Sequence, residues 1–223
     1  MARRLSPYTL ALGLYHAYFD WVFARVTPGE SMLRSADELR GISSEQGFPF
    51  WLAGGNIMRG WCLGVMGQTT DGIALILRGL GTFRATGANV TLPYCLALLA
   101  DVYGMAAQPR EGLNRLAEAA KEIETTHERW AQAEIHRLQG ALFLSMDDHI
   151  EAEESYRHAI AVPQEQRAKF WELRAALALA RLWRDQGKRS EARDLLAPVY
   201  GWFTEGFDTP VLQDAKALLD ELA

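Results

Sequence analysis

The chain has 223 residues, 49% hydrophobic, 23% charged and 10% aromatic, which is ample for a buried core and too apolar for a disordered tail. Its net charge of -5 is spread as 8 Lys/Arg against 6 Asp/Glu in residues 1–90 and 15 against 22 in residues 91–223, so no basic stripe offers a footprint for nucleic acid. No stretch approaches the roughly 18 consecutive apolar residues of a membrane span, and two cysteines, Cys62 and Cys95, are too few for a disulfide framework or a metal site and read as buried thiols.

In chain order, Ser6-Pro7 reads as an N-cap and first-turn proline opening an amphipathic helix. The apolar start resembles a signal sequence in outline, but His16 and Asp20 interrupt it and no small-residue cleavage site follows, so a cytoplasmic location is expected. Thr70-Asp71 offers a capping oxygen for a helix over about 71–86, with Gly87 or Asn89 able to take the left-handed conformation that ends it. Thr91 precedes Leu92-Pro93 in the same way. Gln108-Pro109 and Asp147-Asp148 each predict a tight turn between two helices, and Thr209-Pro210 starts a last helix over 210–222. No period-two alternation appears, so no strand is expected.

Rows of forty residues repeat a pattern. Gly60, Ala100, Gly140 and Ala180 are small; Leu63, Tyr103, Phe143 and Trp183 are large and apolar. Gly72, Gly112, Ala152 and Ala192 are small again, followed by Ile76, Leu116, Tyr156 and Leu196. A fixed period of this length predicts an all-α, right-handed α-solenoid of about five helical hairpins in one superhelical domain. The expected repeats are 13–52, 53–92, 93–132, 133–172 and 173–209, with a capping helix at 210–222 whose polar face carries Asp214, Lys216, Asp220 and Glu221. The first unit, with Asp20, Phe23, Met32 and Ala36 in these columns, keeps only the large positions and reads as an atypical end repeat.

The small–large–small–large order, twelve residues between the small positions, resembles the tetratricopeptide repeat; residues 133–163 carry it best, with Gly140, Phe143, Ala152, Tyr156, Ala159 and a closing Pro163. The period departs from that family, forty instead of thirty-four. The stretches 47–61 (GFPFWLAGGNIMRGW), 97–113 (ALLADVYGMAAQPREGL) and 173–222, with GWFTEGFDTP at 201–210, are similar to the C-terminal helical region of bacterial adenylate/guanylate cyclases and transcriptional regulators that carry an AAA-type ATPase domain. That resemblance implies a scaffold or sensor arm and not the enzyme, since no phosphate loop and no cyclase carboxylate pair is present.

Searches for chemistry return little. His127 and His136, like His149 and His158, lie nine apart, which does not place two imidazoles on one helix face. The glycine pairs at 54–55 and 79–81 follow no strand, and Glu151, Glu153 and Glu154 read as a solvated helix start. No catalytic residue, cofactor or metal is expected.

A-helix positions six and three before each small residue, and one and four after it, should line the concave side. Among them, the candidate groove residues are Trp21, Ile57, Trp61, Tyr94, Asp101, Glu134, Arg137, Arg174, Arg181 and Arg184. One reading is a peptide groove with aromatic anchors at one end and arginines gripping a carboxylate or phosphate at the other. The other is that Trp21 and Trp61 are inter-repeat packing while the arginines pair with Glu172, Asp185 and Glu191. Positions one after the small residue hold Trp61, Asp101, Ala141 and Arg181 instead of asparagine, which argues against the carboxylate clamp of chaperone-binding repeats. The expected function is a non-catalytic protein–protein interaction and regulatory module. Its partner is a protein or peptide, an NTPase or cyclase domain of the same polypeptide included. A helical domain sensing a small molecule to control an NTPase, cyclase or DNA-binding output is the alternative. Exposed Tyr8, Leu12, Tyr15 and Phe19 would allow a homodimer through the N-terminal repeat.

Overall fold

The computed structural model describes residues 6–24 and 30–223, with side chains for 6–17 and 30–223. The described residues form eleven helices and no strand: α1 (Pro7–Ala24), α2 (Glu30–Gln46), α3 (Pro49–Val65), α4 (Thr69–Ala85), α5 (Leu92–Met105), α6 (Pro109–Thr126), α7 (Gln132–Ser145), α8 (His149–Gln166), α9 (Lys169–Asp185), α10 (Arg189–Tyr200) and α11 (Pro210–Glu221). The all-α class and its helical hairpins are as the forty-residue pattern requires.

The chain divides into two compact units, residues 1–112 and 113–223. In the first, α3 packs along α4 and also touches α1, α2 and α5. In the second, α9 does the same with α10, α7, α8 and α11. Helices α3 and α9 thus each lie against their hairpin partner and the neighbouring odd helices of their unit, the contact order of stacked hairpins. The small positions explain the fit. Gly60 and Gly72 let α3 and α4 approach until a Cβ on either would sit under 3 Å from the other's carbonyl oxygen, with Ile76 against Gly60 as Tyr156 is against Gly140; Leu116 and Leu196, in the same column, are also buried. Phe143 and Trp183 lie half-buried against the second unit's core.

The forty-residue row is itself two equal halves. Left-handed residues fall at Gly47, Gly67, Gly87, Ala107, His127, Asp147, Arg167 and Gly187, one every twenty residues. Each ends a helix. At the turns inside the hairpins, the next amide bonds back five residues: Gln68, Gln108, Asp148 and Lys188 donate to the carbonyls of Leu63, Tyr103, Phe143 and Trp183 at 2.8, 2.9, 3.0 and 2.8 Å. This is the Schellman geometry, which satisfies the last carbonyls of the helix. In α3, α5, α7 and α9 the large position is therefore also the acceptor that sets the turn.

Glycine occupies only half of these left-handed sites. Ala107 (φ 56°) is exposed and adds a Cβ where the backbone disfavours one by roughly 1–2 kcal/mol. Ala107→Gly is expected to raise the melting temperature by about 2 °C, after the entropy glycine adds to the unfolded chain is subtracted. Differential scanning calorimetry reads it, and a fall in melting temperature would show that the turn is unstrained.

Several local expectations shift. Gln68 stands at the start of α4 without a side-chain cap, so Thr70 and Asp71 lie inside its first turn. Thr91 is left-handed and shares a 3.0 Å hydrogen bond with the Tyr15 hydroxyl instead of capping α5. Asp148 does cap α8, accepting from the Glu151 amide at 3.2 Å. Pro163 does not close its helix, which continues to Gln166. Met32 and Ala36 of the end hairpin are buried, as their columns demand. Of the residues offered for self-association, Tyr8 and Leu12 are exposed but Tyr15 is buried among rings of α3, and Phe19 lies outside the described side chains.

Candidate functional site

The predicted groove positions fall on the odd helices, and within each unit several meet their equivalents one row away. In the first unit, the Trp61 indole nitrogen of α3 donates to Asp101 Oδ2 of α5 at 3.0 Å, a bridge between residues forty apart. Both side chains are half-buried. Ile57 and Tyr94, only 2% and 3% exposed, belong to the core and back this surface without presenting one. The Trp21 side chain lies outside the described residues. Trp61 thus fits the inter-repeat reading, with a polar bond added.

In the second unit the charged positions form two tiers. Glu134 of α7 accepts from Arg174 of α9, again forty residues on, at 2.6 Å. It also takes Arg137 in a two-pronged pair at 2.9 and 2.8 Å. Glu134 and Arg174 side chains are each 6% exposed and Arg137 15%. The Arg174 guanidinium lies 5.3 Å from the Trp171 ring centroid and 5.8 Å from that of Phe170, so cation–π contact adds to the ion pairs. This inner tier is a sealed brace between two odd helices.

The outer tier is open to water. Arg181 donates to Asp214 of α11 at 2.9 Å, and Arg184 to Asp185 at 2.8 Å and to Glu221 of α11 at 3.1 Å. Arg181 is 41% exposed and Arg184 28%. Of the local partners expected from sequence, only Asp185 takes an arginine in these pairs. Glu172 is held by Lys169 at 2.6 Å and Gln164 at 3.1 Å. Asp214 and Glu221 were missed as partners, yet they continue the columns: Arg174 plus forty is position 214, and Arg181 plus forty is position 221. The bonds run diagonally, one or two helical turns short of that register.

Across helices, the structure brings together His136 of α7 and His158 of α8, ring centroids 5.7 Å apart. His136 shares a 2.9 Å hydrogen bond with Gln139, and burial first, with His158 beside it, lowers its pKa below the usual imidazole value. Burial pushes the Cys62 thiol up to about 12, which leaves no thiolate for chemistry near neutral pH. Among the described residues no group of three or more His, Cys, Asp or Glu could hold a metal ion, and no helix is long and apolar enough to cross a membrane.

At the level of sequence, no protein family and no curated protein matches the chain. Solved structures do. A Rap protein in complex with Competence and Sporulation Factor aligns with TM-score 0.71 and 13% identity over 98% of this chain and 59% of its own. BtubC (BKLC) from P. vanneervenii aligns at 0.65 and 15% over 86% and 89%. A kinesin light chain of Podosopora anserina with nearly identical TPR-like repeats aligns at 0.60 and 15% over 89% and 96%. At these identities the likeness defines the fold class: the chain is built of tetratricopeptide-like helical repeats. It spans less than two thirds of the Rap protein it matches.

Proposed function

We propose that the chain is a non-catalytic docking module that holds a protein or peptide segment against the odd-helix face of its second unit. The observation that carries this is the contrast between the two arginine tiers. The Glu134–Arg137–Arg174 brace is desolvated and fixed. Arg181 and Arg184 sit in exposed pairs, which contribute only about 0–1 kcal/mol each. An incoming carboxylate can therefore replace Asp214 or Glu221 at small cost and gain two-pronged hydrogen bonds from a guanidinium already positioned by its helix. A Rap protein of similar fold holds a factor in its complex, which supports a protein or peptide as partner.

The residues of 47–61, 97–113 and 173–222 support a finer placement, as the C-terminal arm of a cytoplasmic bacterial signalling protein whose NTPase, cyclase or DNA-binding output it regulates. Arg181→Glu is expected to weaken capture of acidic peptides more than tenfold while moving the melting temperature by less than about 2 °C, because the pair it breaks is exposed. Undiminished peptide binding by that variant would remove the arginines from the site. A melting temperature raised by small metabolites, with no peptide bound, would favour the sensing alternative.

A further inference from the structure

The first turn of α1 and the turn from α2 into α3 enclose a cavity that the docking face does not use. Tyr8 of α1, Phe48 of the turn, and Pro49, Phe50 and Trp51 of α3 line it, around a volume of about 280 Å³ and with no charged side chain among its described walls. All of these residues belong to the first unit. Tyr8 is 54% exposed and Trp51 8%, so one wall stands in solvent and another in the core. The walls are held in place. Ser6 caps α1, its hydroxyl accepting from the Thr9 amide at 3.1 Å, which sets the turn that carries Tyr8. Phe50 and Trp51 pack on the buried Tyr15 with ring centroids 5.8 and 5.2 Å away, and the Tyr15 hydroxyl is tied to Thr91.

The angles between the rings select a ligand. Tyr8 meets Phe48 at 85° and Trp51 at 73°, both with centroids 5.9 Å apart. Two near-perpendicular pairs thus share Tyr8 as a common wall. A cation in the corner of such a pair stands about 4 Å from each centroid, inside the roughly 6 Å reach of a cation–π contact. The negative faces of the rings attract it without a carboxylate. A primary ammonium or a guanidinium would carry N–H donors into a cavity that has no acidic side chain to pair with them, at a desolvation cost. A quaternary ammonium has no such donors. The Thr86 hydroxyl, also in the wall, is already engaged: it donates to the Phe83 carbonyl at 2.6 Å and accepts from the Ala88 amide at 3.3 Å.

The geometry points to a site for a small quaternary ammonium compound, its trimethylammonium group held against the faces of Tyr8, Phe48 and Trp51. A volume of about 280 Å³ lies at the lower edge of the roughly 300–1,000 Å³ of small-molecule sites and suits a cation the size of choline. The site is separate from the arginine face, which belongs to the second unit and takes the opposite charge. Aromatic contacts without a salt bridge make a weak site, with a dissociation constant of about 0.1–1 mM.

NMR titration of the full chain with choline tests it, beside the uncharged carbon isostere dimethylbutanol. Choline should bind in that range and shift the Trp51 indole signal; the isostere, alike in shape but without charge, should bind at least about tenfold more weakly. Tyr8→Leu keeps an apolar wall and removes the aromatic face. It should weaken choline about tenfold and leave the isostere unchanged, with a melting temperature within about 2 °C of the parent's because the ring is exposed. Phe48→Leu should repeat the loss of choline. Equal affinity for choline and the isostere would reduce the cavity to an apolar cleft and overturn the proposal. So would the absence of choline binding at about 10 mM, or a Tyr8→Leu variant that binds choline as the parent does. A trimethyl-lysine peptide that bound more tightly than choline would overturn the assignment to a free small molecule.

Discussion

Gly72→Ala is expected to destabilise the first unit by about 2 kcal/mol, lowering the melting temperature by about 4–8 °C. Its Cβ would lie 2.6 Å from the Gly60 carbonyl oxygen and 3.0 Å from the Gly64 amide nitrogen, both backbone atoms that cannot rotate away. The helices would have to separate, and α3 is the helix on which α1, α2, α4 and α5 all pack. The figure is net of the roughly 1 kcal/mol that alanine gains over glycine inside a helix. Gly81, on the same helix, supplies the control. Nothing lies within 4 Å of its added Cβ, so Gly81→Ala should stabilise by up to that same amount. Thermal denaturation of the two variants should give opposite signs; a stabilised Gly72→Ala would mean that the small–large columns do not record close helix approach.

Glu134→Ala carries the second large effect. The carboxylate sits between two guanidiniums in a nearly dry setting, and its removal leaves Arg137 and Arg174 facing each other. Breaking a buried ion pair from one side costs about 3–5 kcal/mol, whereas Asp214→Ala, which removes an exposed partner of Arg181, should cost about 0–1 kcal/mol. Denaturant titration measures both. A replacement of Glu134 and Arg174 together by leucine should recover much of the loss, since well-packed apolar residues commonly match such a pair. Equal losses at Glu134 and Asp214 would show that the brace is not sealed.

The columns of forty made the architecture legible. Small residues at 60 and 72 mark a helix contact because only glycine allows that backbone distance, and those at 152 and 192 are fully buried in the same columns. The columns put Trp61 and Asp101, like positions 134 and 174, forty apart in the inward register, but that each pair bonds is seen only in the structure. What they hid was depth. Ile57, Tyr94, Glu134 and Arg174 share the inward register with Arg181, yet burial depends on the bulk of neighbouring hairpins, which a one-dimensional pattern does not carry. The twenty-residue sub-period was half visible, in Gly47, Gly67, Gly87 and Gly187; Ala107, His127, Asp147 and Arg167 concealed the rest, because left-handed backbone tolerates other residues at a cost. Asp214 and Glu221 were within reach of the same columns extended into the last helix. The His136–His158 contact was not, since it joins two helices at positions no period links.

The docking role of the outer arginine tier is tested most directly by an array of acidic and neutral peptides probed with the full chain and with an Arg181→Glu/Arg184→Glu variant. The account predicts retention on a subset of carboxylate-bearing peptides by the parent, loss of that retention in the variant, and unfolding temperatures that agree within a few degrees. Retention of the same peptides by both proteins, or none by the parent, would contradict it.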